Sequence, residues 1–132
     1  MEFALLMPLL LLLVLGIVEL GFVLGQYNEV RHGAHEGARL AAVNDADLGN
    51  KTCDSIGLGS EVTVDFAHLG SGDIGEPAIV TVSWPVDSLS NLGFMEAFLP
   101  DQVSTTADFR IEQTASWDNT NNDRSPLGTP CP

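Results

Sequence analysis

The chain has 132 residues, with 18 acidic side chains against five lysines and arginines, and its formal net charge is −13. From Leu40 onward, fourteen acidic residues accompany three basic ones (14 − 3 = 11 net negative charges), and such a surface repels phosphate backbones, which argues against a nucleic-acid partner. The hundred or so residues after the apolar start suit one small domain and leave little room for a second.

The amino-terminal segment is strongly apolar. The sixteen residues from Phe3 to Val18 carry no charge, and lysine and arginine are absent until Arg31. Extended to Leu24, the run reaches 22 residues, close to the roughly 20 that a helix needs to cross a bilayer. No basic region precedes it, as a secretory signal would require, so we expect it to be retained. Either a basic leader has already been removed, or the segment reaches the membrane by another route.

Helix-forming residues continue beyond this run to about Asn44, with no proline to end the helix. An apolar stripe recurs every three or four residues, at Tyr27, Val30, Ala34, Ala38 and Ala41. A single helix of this length would measure about 63 Å, twice the thickness of a membrane. We therefore predict a membrane and assembly helix over residues 1–47 and a globular β domain over residues 48–132.

Several residues of this helix are candidates for roles in assembly. Pro8 removes a backbone hydrogen bond and should bend the first turns. Gly21, Gly25, Gly33 and Gly37 fall on one row of positions four residues apart, in which Glu29 occupies the step between Gly25 and Gly33, and such a row lets another helix approach closely. For Gly33 and Gly37, the alternative is that small residues fit the helix onto its own sheet.

Two glutamates lie within or beside the apolar run, where a carboxylate is costly unless it is paired or protonated. We interpret Glu2 as a group that meets the amino terminus of an adjacent copy. Glu19 is an assembly candidate as well, and the alternative places it at the lipid boundary.

After the helix, residues 44–50 predict a helix end and a turn, with Gly49 as a left-handed cap. Cys53 and Cys131 lie near the two ends of the domain and form no CxxC motif. In an exported domain they are expected to form a disulfide, and two buried free thiols are the alternative.

Three stretches alternate apolar and polar residues and predict an antiparallel sheet packed on the outer half of the helix. Their apolar positions are Val62, Val64 and Phe66; Val80, Val82 and Trp84; and Ala107, Phe109 and Ile111. A short helix that covers the core is predicted over residues 87–99, and a loop from Ser116 onward. The expected fold class is α+β, with a long amino-terminal hydrophobic helix and a small antiparallel sheet.

The sequence contains few candidates for chemistry. His32, His35 and Glu36 lie within one helical turn, but a third metal ligand is not evident and a solvated polar face explains them better. The oxygen-rich runs 45–47 and 118–123 resemble calcium loops without the EF-hand spacing. No nucleotide or hydrolase motif occurs. We expect no enzyme activity, no metal and no cofactor.

The string from Glu2 to Leu10, the run Gly16–Gly21 and the later His35-Glu36-Gly37-Ala38-Arg39 resemble the amino-terminal signature of the TadE-like family of pilin-like proteins. A weaker resemblance lies in residues 80–86 and 107–112, which look like the paired strands that end family members. The resemblance implies a type IV pilin-like fold and a subunit matured and methylated after cleavage by a prepilin peptidase. It also implies extraction from the membrane by an assembly ATPase machinery into a filament on the cell surface. Glu2 corresponds to the family's glutamate, although type IV-like subunits usually carry theirs a few residues further from the cleavage site.

The favoured function is a structural subunit of an extracellular filament, a helical homo-oligomer whose subunits are held in the membrane before assembly. A minor pseudopilin shares every sequence feature with it. The alternative of another class is a membrane-anchored protein that displays a small binding module.

Overall fold

The computed structural model describes residues 2–58, 61–86, 99–117 and 131, with the backbone alone at residues 2, 4 and 5. It contains a long helix, α1 (Glu2–Ala42), a short helix, α2 (Leu48–Asp54), and the strands β1 (Thr63–His68), β2 (Pro77–Pro85) and β3 (Gln102–Arg110). The three strands form one antiparallel sheet in the order β1-β2-β3. The predicted α+β layout, with a long apolar helix and a small antiparallel sheet, is confirmed.

Helix α1 is 41 residues long and runs through Pro8 without interruption, so it extends for about 62 Å. It ends at Ala42, two residues before the helix end that was predicted near Asn44. Asn44 follows with a φ of 50°, a left-handed conformation that asparagine tolerates better than most residues. The Asp45 N–H then donates to the Leu40 carbonyl, which satisfies one of the last carbonyls of the helix.

The turn after α1 differs from the prediction. Gly49 is not a left-handed cap but a buried residue inside α2, a helix that the sequence did not predict. Seven residues are too few for a helical period to be recognised. Asn44 provides the change of direction, and α2 then packs back against α1.

Alternation along the strands divides the sheet into two faces, as predicted. Val64 and Phe66 of β1, Val80 and Val82 of β2, and Ala107 of β3 are buried against α1 and α2. The residues between them point away from α1, and Asp65, Thr106 and Asp108 are exposed there. We call this second side the outer sheet face, and it comprises Thr63, Asp65, Ala67, Ile79, Thr81, Ser83, Ser104, Thr106, Asp108 and Arg110.

Trp117 completes the core at the end of the domain that is farthest from the amino terminus. It is 2% exposed, and its ring centroid lies 5.7 to 6.0 Å from those of Phe66, His68 and Phe109. Its Nε1 donates to the Ala41 carbonyl at 3.3 Å. The loop predicted from Ser116 onward therefore contains a core residue, Trp117, at its second position.

A disulfide joins Cys53 of α2 to Cys131, as expected from the sequence. The N–H of Cys131 donates to the Val62 carbonyl at 2.8 Å, so the bridge ties the carboxyl-terminal end to both α2 and the start of β1. The helix predicted over residues 87–99 falls, apart from Leu99, outside the described residues, and the oxygen-rich run 118–123 lies wholly outside them.

Candidate assembly surface

The first half of α1 projects from the domain with its apolar side chains uncovered. From Phe3 to Val18, no described side chain is buried, and Phe3, Leu9 and Ile17 are 74%, 66% and 64% exposed. Helix α1 is long and apolar enough to cross a membrane, and only 11% of its most apolar window is buried. A helix that formed the core of the folded chain would be covered instead, so this segment needs lipid or another protein around it.

Burial begins at Glu19, which is 2% exposed in the folded chain. Val23 and Gln26, each 7% exposed, continue the buried stripe toward Val30. Within the described part of the chain, the Gln26 Oε1 atom is buried without a hydrogen-bond partner. Tyr27 was predicted to belong to this stripe, but it is 40% exposed, because the stripe follows positions 19, 23, 26 and 30 and leaves position 27 to one side.

The glycine row is divided between two surroundings. A Cβ atom at Gly33 would lie 2.1 Å from Ile56 Cγ1, and one at Gly37 would lie 3.0 Å from Thr52 Cγ2. These two glycines therefore let α2 and the sheet approach α1, which is the alternative stated for them above. A Cβ at Gly21 or Gly25 would meet none of the described residues within 4 Å.

Opposite the buried stripe, a polar line runs along the outer half of α1 through Asn28, His32, His35 and Arg39, all exposed. Their spacing of four, three and four residues keeps them on one side of the helix. Arg39 donates two hydrogen bonds to the Glu36 carboxylate, at 2.6 and 3.1 Å. Among the described residues, no group of three histidine, cysteine or acidic side chains is placed to hold a metal ion, and His32, His35 and Glu36 form no such group.

The first oxygen-rich run contacts a basic side chain. The Lys51 ammonium donates to both carboxylate oxygens of Asp45, at 2.7 and 2.9 Å, and the Asp47 N–H donates to one of them. The Lys51 hydrogen bonds, followed by that of the Asp47 N–H, hold the pKa of Asp45 below its usual value of 3.8. Asp45 therefore acts here as the partner of Lys51.

The other predicted assembly residues lie at the start of α1. Glu2 and Pro8 are in the first turns of the helix, and the Glu2 side chain is outside the described part of the structure. Asn44 and Trp117 did not stand out in the sequence. The only sequence signal for Asn44 was its place among turn-forming residues, and Trp117 carried no pattern because it is a single aromatic residue in a stretch without a repeating period.

The hairpin between β1 and β2 lies at the far end of the domain and is held by Glu76. The Glu76 Oε2 atom accepts hydrogen bonds from the N–H groups of Gly72 and Asp73, at 2.8 and 3.2 Å. Leu69 and Ile74 on this hairpin are 70% and 67% exposed. The hairpin also contacts the segment after β3, where the Ala115 N–H donates to the Gly72 carbonyl.

Comparison with known proteins agrees with the first resemblance. Residues 1–39 match the model of the family described as TadE-like protein. The match covers the apolar segment and the polar line as far as Arg39, and it does not extend to the strands, where the second resemblance stays a prediction. No curated protein and no solved structure matches the chain. The match associates α1, as far as Arg39, with a pilus-associated family and with its membrane-type helix.

Proposed function

Starting from the TadE-like match, we propose that this protein is a structural subunit of an extracellular type IV pilus-like filament, assembled through α1. The observation that carries the proposal is the contrast within α1. The described side chains from Phe3 to Val18 have no cover in the folded chain, whereas from Glu19 onward one side of the helix is buried. In the proposal, lipid covers this apolar part of α1 before assembly, and the helices of other copies cover it afterward.

In this proposal, the helices of many copies pack at the centre of the filament and the acidic domains lie outside. Glu2 pairs with the terminal amine of a neighbouring copy, which lowers the cost of a carboxylate in apolar surroundings. Gly21 and Gly25 let the helices of two copies approach closely, because no described residue occupies the space beside them. A prepilin peptidase would mature and methylate the subunit, and an assembly ATPase machinery would drive its extraction.

A minor pseudopilin that primes or caps such a filament is the second candidate, since it would share the same uncovered helix. A membrane-anchored binding module is a third. In a module of that kind, α1 would stay in lipid and Glu2 would face water, so a change at Glu2 would have no effect on assembly.

The test is to express the Glu2→Ala variant in the source cells and compare it with the wild type. We expect no filaments in sheared surface material under negative-stain microscopy, while the amount of protein in the membrane is unchanged. Asp54→Ala removes an exposed carboxylate in α2, outside α1, so it is the matched control and should leave filaments intact. Filaments of normal number and length from the Glu2→Ala variant would contradict the proposal.

A further inference from the structure

The exposed side of α1 around the polar line carries two of the five lysines and arginines of a strongly acidic chain. These are Arg31 and Arg39, and His32 and His35 are two of the three histidines. We call the exposed side formed by Arg31, His32, His35 and Arg39 the basic face. Glu29 and Glu36 are the acidic side chains of α1 beside it, and Glu36 is paired with Arg39.

The other described basic side chains are engaged within the domain. Lys51 is paired with Asp45, and the Arg110 guanidinium donates to the Gly75 carbonyl at 2.8 Å. Arg39 shares its charge with Glu36 on the same helix, and its side chain is still 69% exposed. Arg31 is exposed and has no ion pair among the described residues. Within the described part of the chain, the basic face is therefore the surface whose arginines can bind carboxylates of another molecule.

The outer sheet face offers carboxylates at a suitable spacing. Asp65 on β1 pairs with Thr81 on β2, and Thr81 pairs in turn with Thr106 on β3. Asp108 follows Thr106 by two residues on β3. Two strand spacings across and two residues along separate Asp65 and Asp108 by about 12 Å. Along α1, Arg31 and Arg39 are separated by about 12 Å as well. Glu61 and Glu112, both exposed, add negative charge beyond the ends of β1 and β3.

The two faces lie on opposite sides of the domain. The inner side of the sheet packs on the buried stripe of α1, so the basic face and the outer sheet face point in opposite directions. Complementary surfaces on opposite sides of one chain cannot both be satisfied in a closed twofold pair. They produce a head-to-tail contact that repeats from copy to copy.

We propose that the basic face of α1 docks on the outer sheet face of a second copy of this chain. The inference rests on the proposed filament and specifies which surfaces of adjacent domains meet in it. Charge complementarity of this kind selects the register between copies and suppresses contacts between two acidic sheets.

The test places a photo-crosslinking residue, p-benzoylphenylalanine, at Thr106 of the full chain in cells. Thr106 is exposed and uncharged, and it lies on the outer sheet face two residues before Asp108 and, through Thr81, in register with Asp65. We expect irradiation to yield covalent dimers in which mass spectrometry finds Thr106 joined to residues 28–39 of another copy. The same substitution at Ile74, exposed on the hairpin, is the matched control and should give no link to residues 28–39. Dimers joined elsewhere, or no dimers, would overturn the proposal.

Reversing the charges on the basic face and on the outer sheet face tests whether their electrostatic attraction holds the contact. The pair Arg31→Glu with Arg39→Glu should lower the dimer yield about tenfold, and so should the pair Asp65→Lys with Asp108→Lys, because each places like charges opposite one another. All four changes together should restore the yield to within about twofold of the wild type, since the attraction is reversed but kept. An equal loss in the fourfold variant would refute the contact. Membrane levels and the Cys53–Cys131 disulfide report whether each variant folds.

Dimers are measured separately in membrane and filament fractions, which separates the two proposals. Filaments that lack the Thr106 link contradict the docking alone. A chain that forms no filaments under any condition contradicts the proposed function, and the link in the membrane fraction still decides the docking.

Discussion

Single glycines of α1 have two different roles, which depend on what lies beside them. Gly37 lets Thr52 and Val80 approach the helix, whereas Gly25 faces open space in the folded chain. Leucine at the two positions should therefore give opposite results, although both changes raise helix propensity by a similar amount.

We expect Gly37→Leu to lower the free energy of unfolding by about 1 to 3 kcal/mol, because the new side chain forces α2 and the sheet away from the helix. Gly25→Leu should leave that free energy unchanged or slightly higher and should reduce filament assembly. Urea unfolding in detergent, followed by tryptophan fluorescence, and microscopy of sheared material provide the two measurements. Normal filaments from Gly25→Leu would remove the argument for close helix approach at this position.

Asp45 and Lys51 form a contact whose effect on ionisation can be measured. Because the folded-state pKa of Asp45 lies below its usual value of 3.8, the contact stabilises the fold above that pH. The stabilisation is lost as the pH falls through the lower, folded-state pKa. We expect Lys51→Ala to raise the pKa of Asp45 toward its usual value, with the hydrogen bond from the Asp47 N–H keeping it slightly low. Carboxyl chemical shifts recorded against pH would show this, and an unchanged titration of Asp45 would contradict it.

At the scale of elements, Trp117 links the sheet to the end of α1. Its ring packs beside Phe66, His68 and Phe109, and its N–H donates to Ala41. Trp117→Phe should cost about 0.5 to 1.5 kcal/mol for the lost hydrogen bond, together with a smaller packing loss. Trp117→Ala should cost about 3 to 5 kcal/mol because it leaves a cavity.

Thermal unfolding of both variants, with the Cys53–Cys131 disulfide intact, measures these two losses of stability. Trp84 lies in β2 and remains as a fluorescent probe in each variant. Equal stability of Trp117→Ala and the wild type would show that the ring is not part of the core.

The long elements were predictable because their periods repeat. Val64 and Phe66, or Val80 and Val82, alternate for long enough to identify a strand and its buried side. Helix α2 and Trp117 were not predictable. A helix of two turns is too short to show a hydrophobic period, and a single aromatic residue after a strand has none. The glycine row showed where side chains are absent, but the sequence could not tell which glycines face the chain's own domain. That depends on where α2 folds back, and Asn44 sets this direction.

At the scale of the whole molecule, the projecting half of α1 takes no part in the described core. We expect a chain that begins at Glu19 to keep its fold and to stay in solution without detergent, because every described side chain from Phe3 to Val18 is uncovered. The full chain is the control and should need detergent. Sedimentation and circular dichroism provide the readouts, and a truncated chain that precipitates or loses its sheet signal would contradict the expectation.

The continuity of α1 also determines how the protein carries mechanical load. One unbroken helix runs from the apolar segment to Ala42, where the carbonyl of its last residue accepts hydrogen bonds from the N–H groups of Glu112 and Gln113. A pull on the amino-terminal half along the helix axis therefore reaches the far end of the domain. The force loads the contact between helix and sheet in shear, across its whole length at once. Such a contact must slide as a unit before it fails, whereas a peeling force would open it one residue at a time.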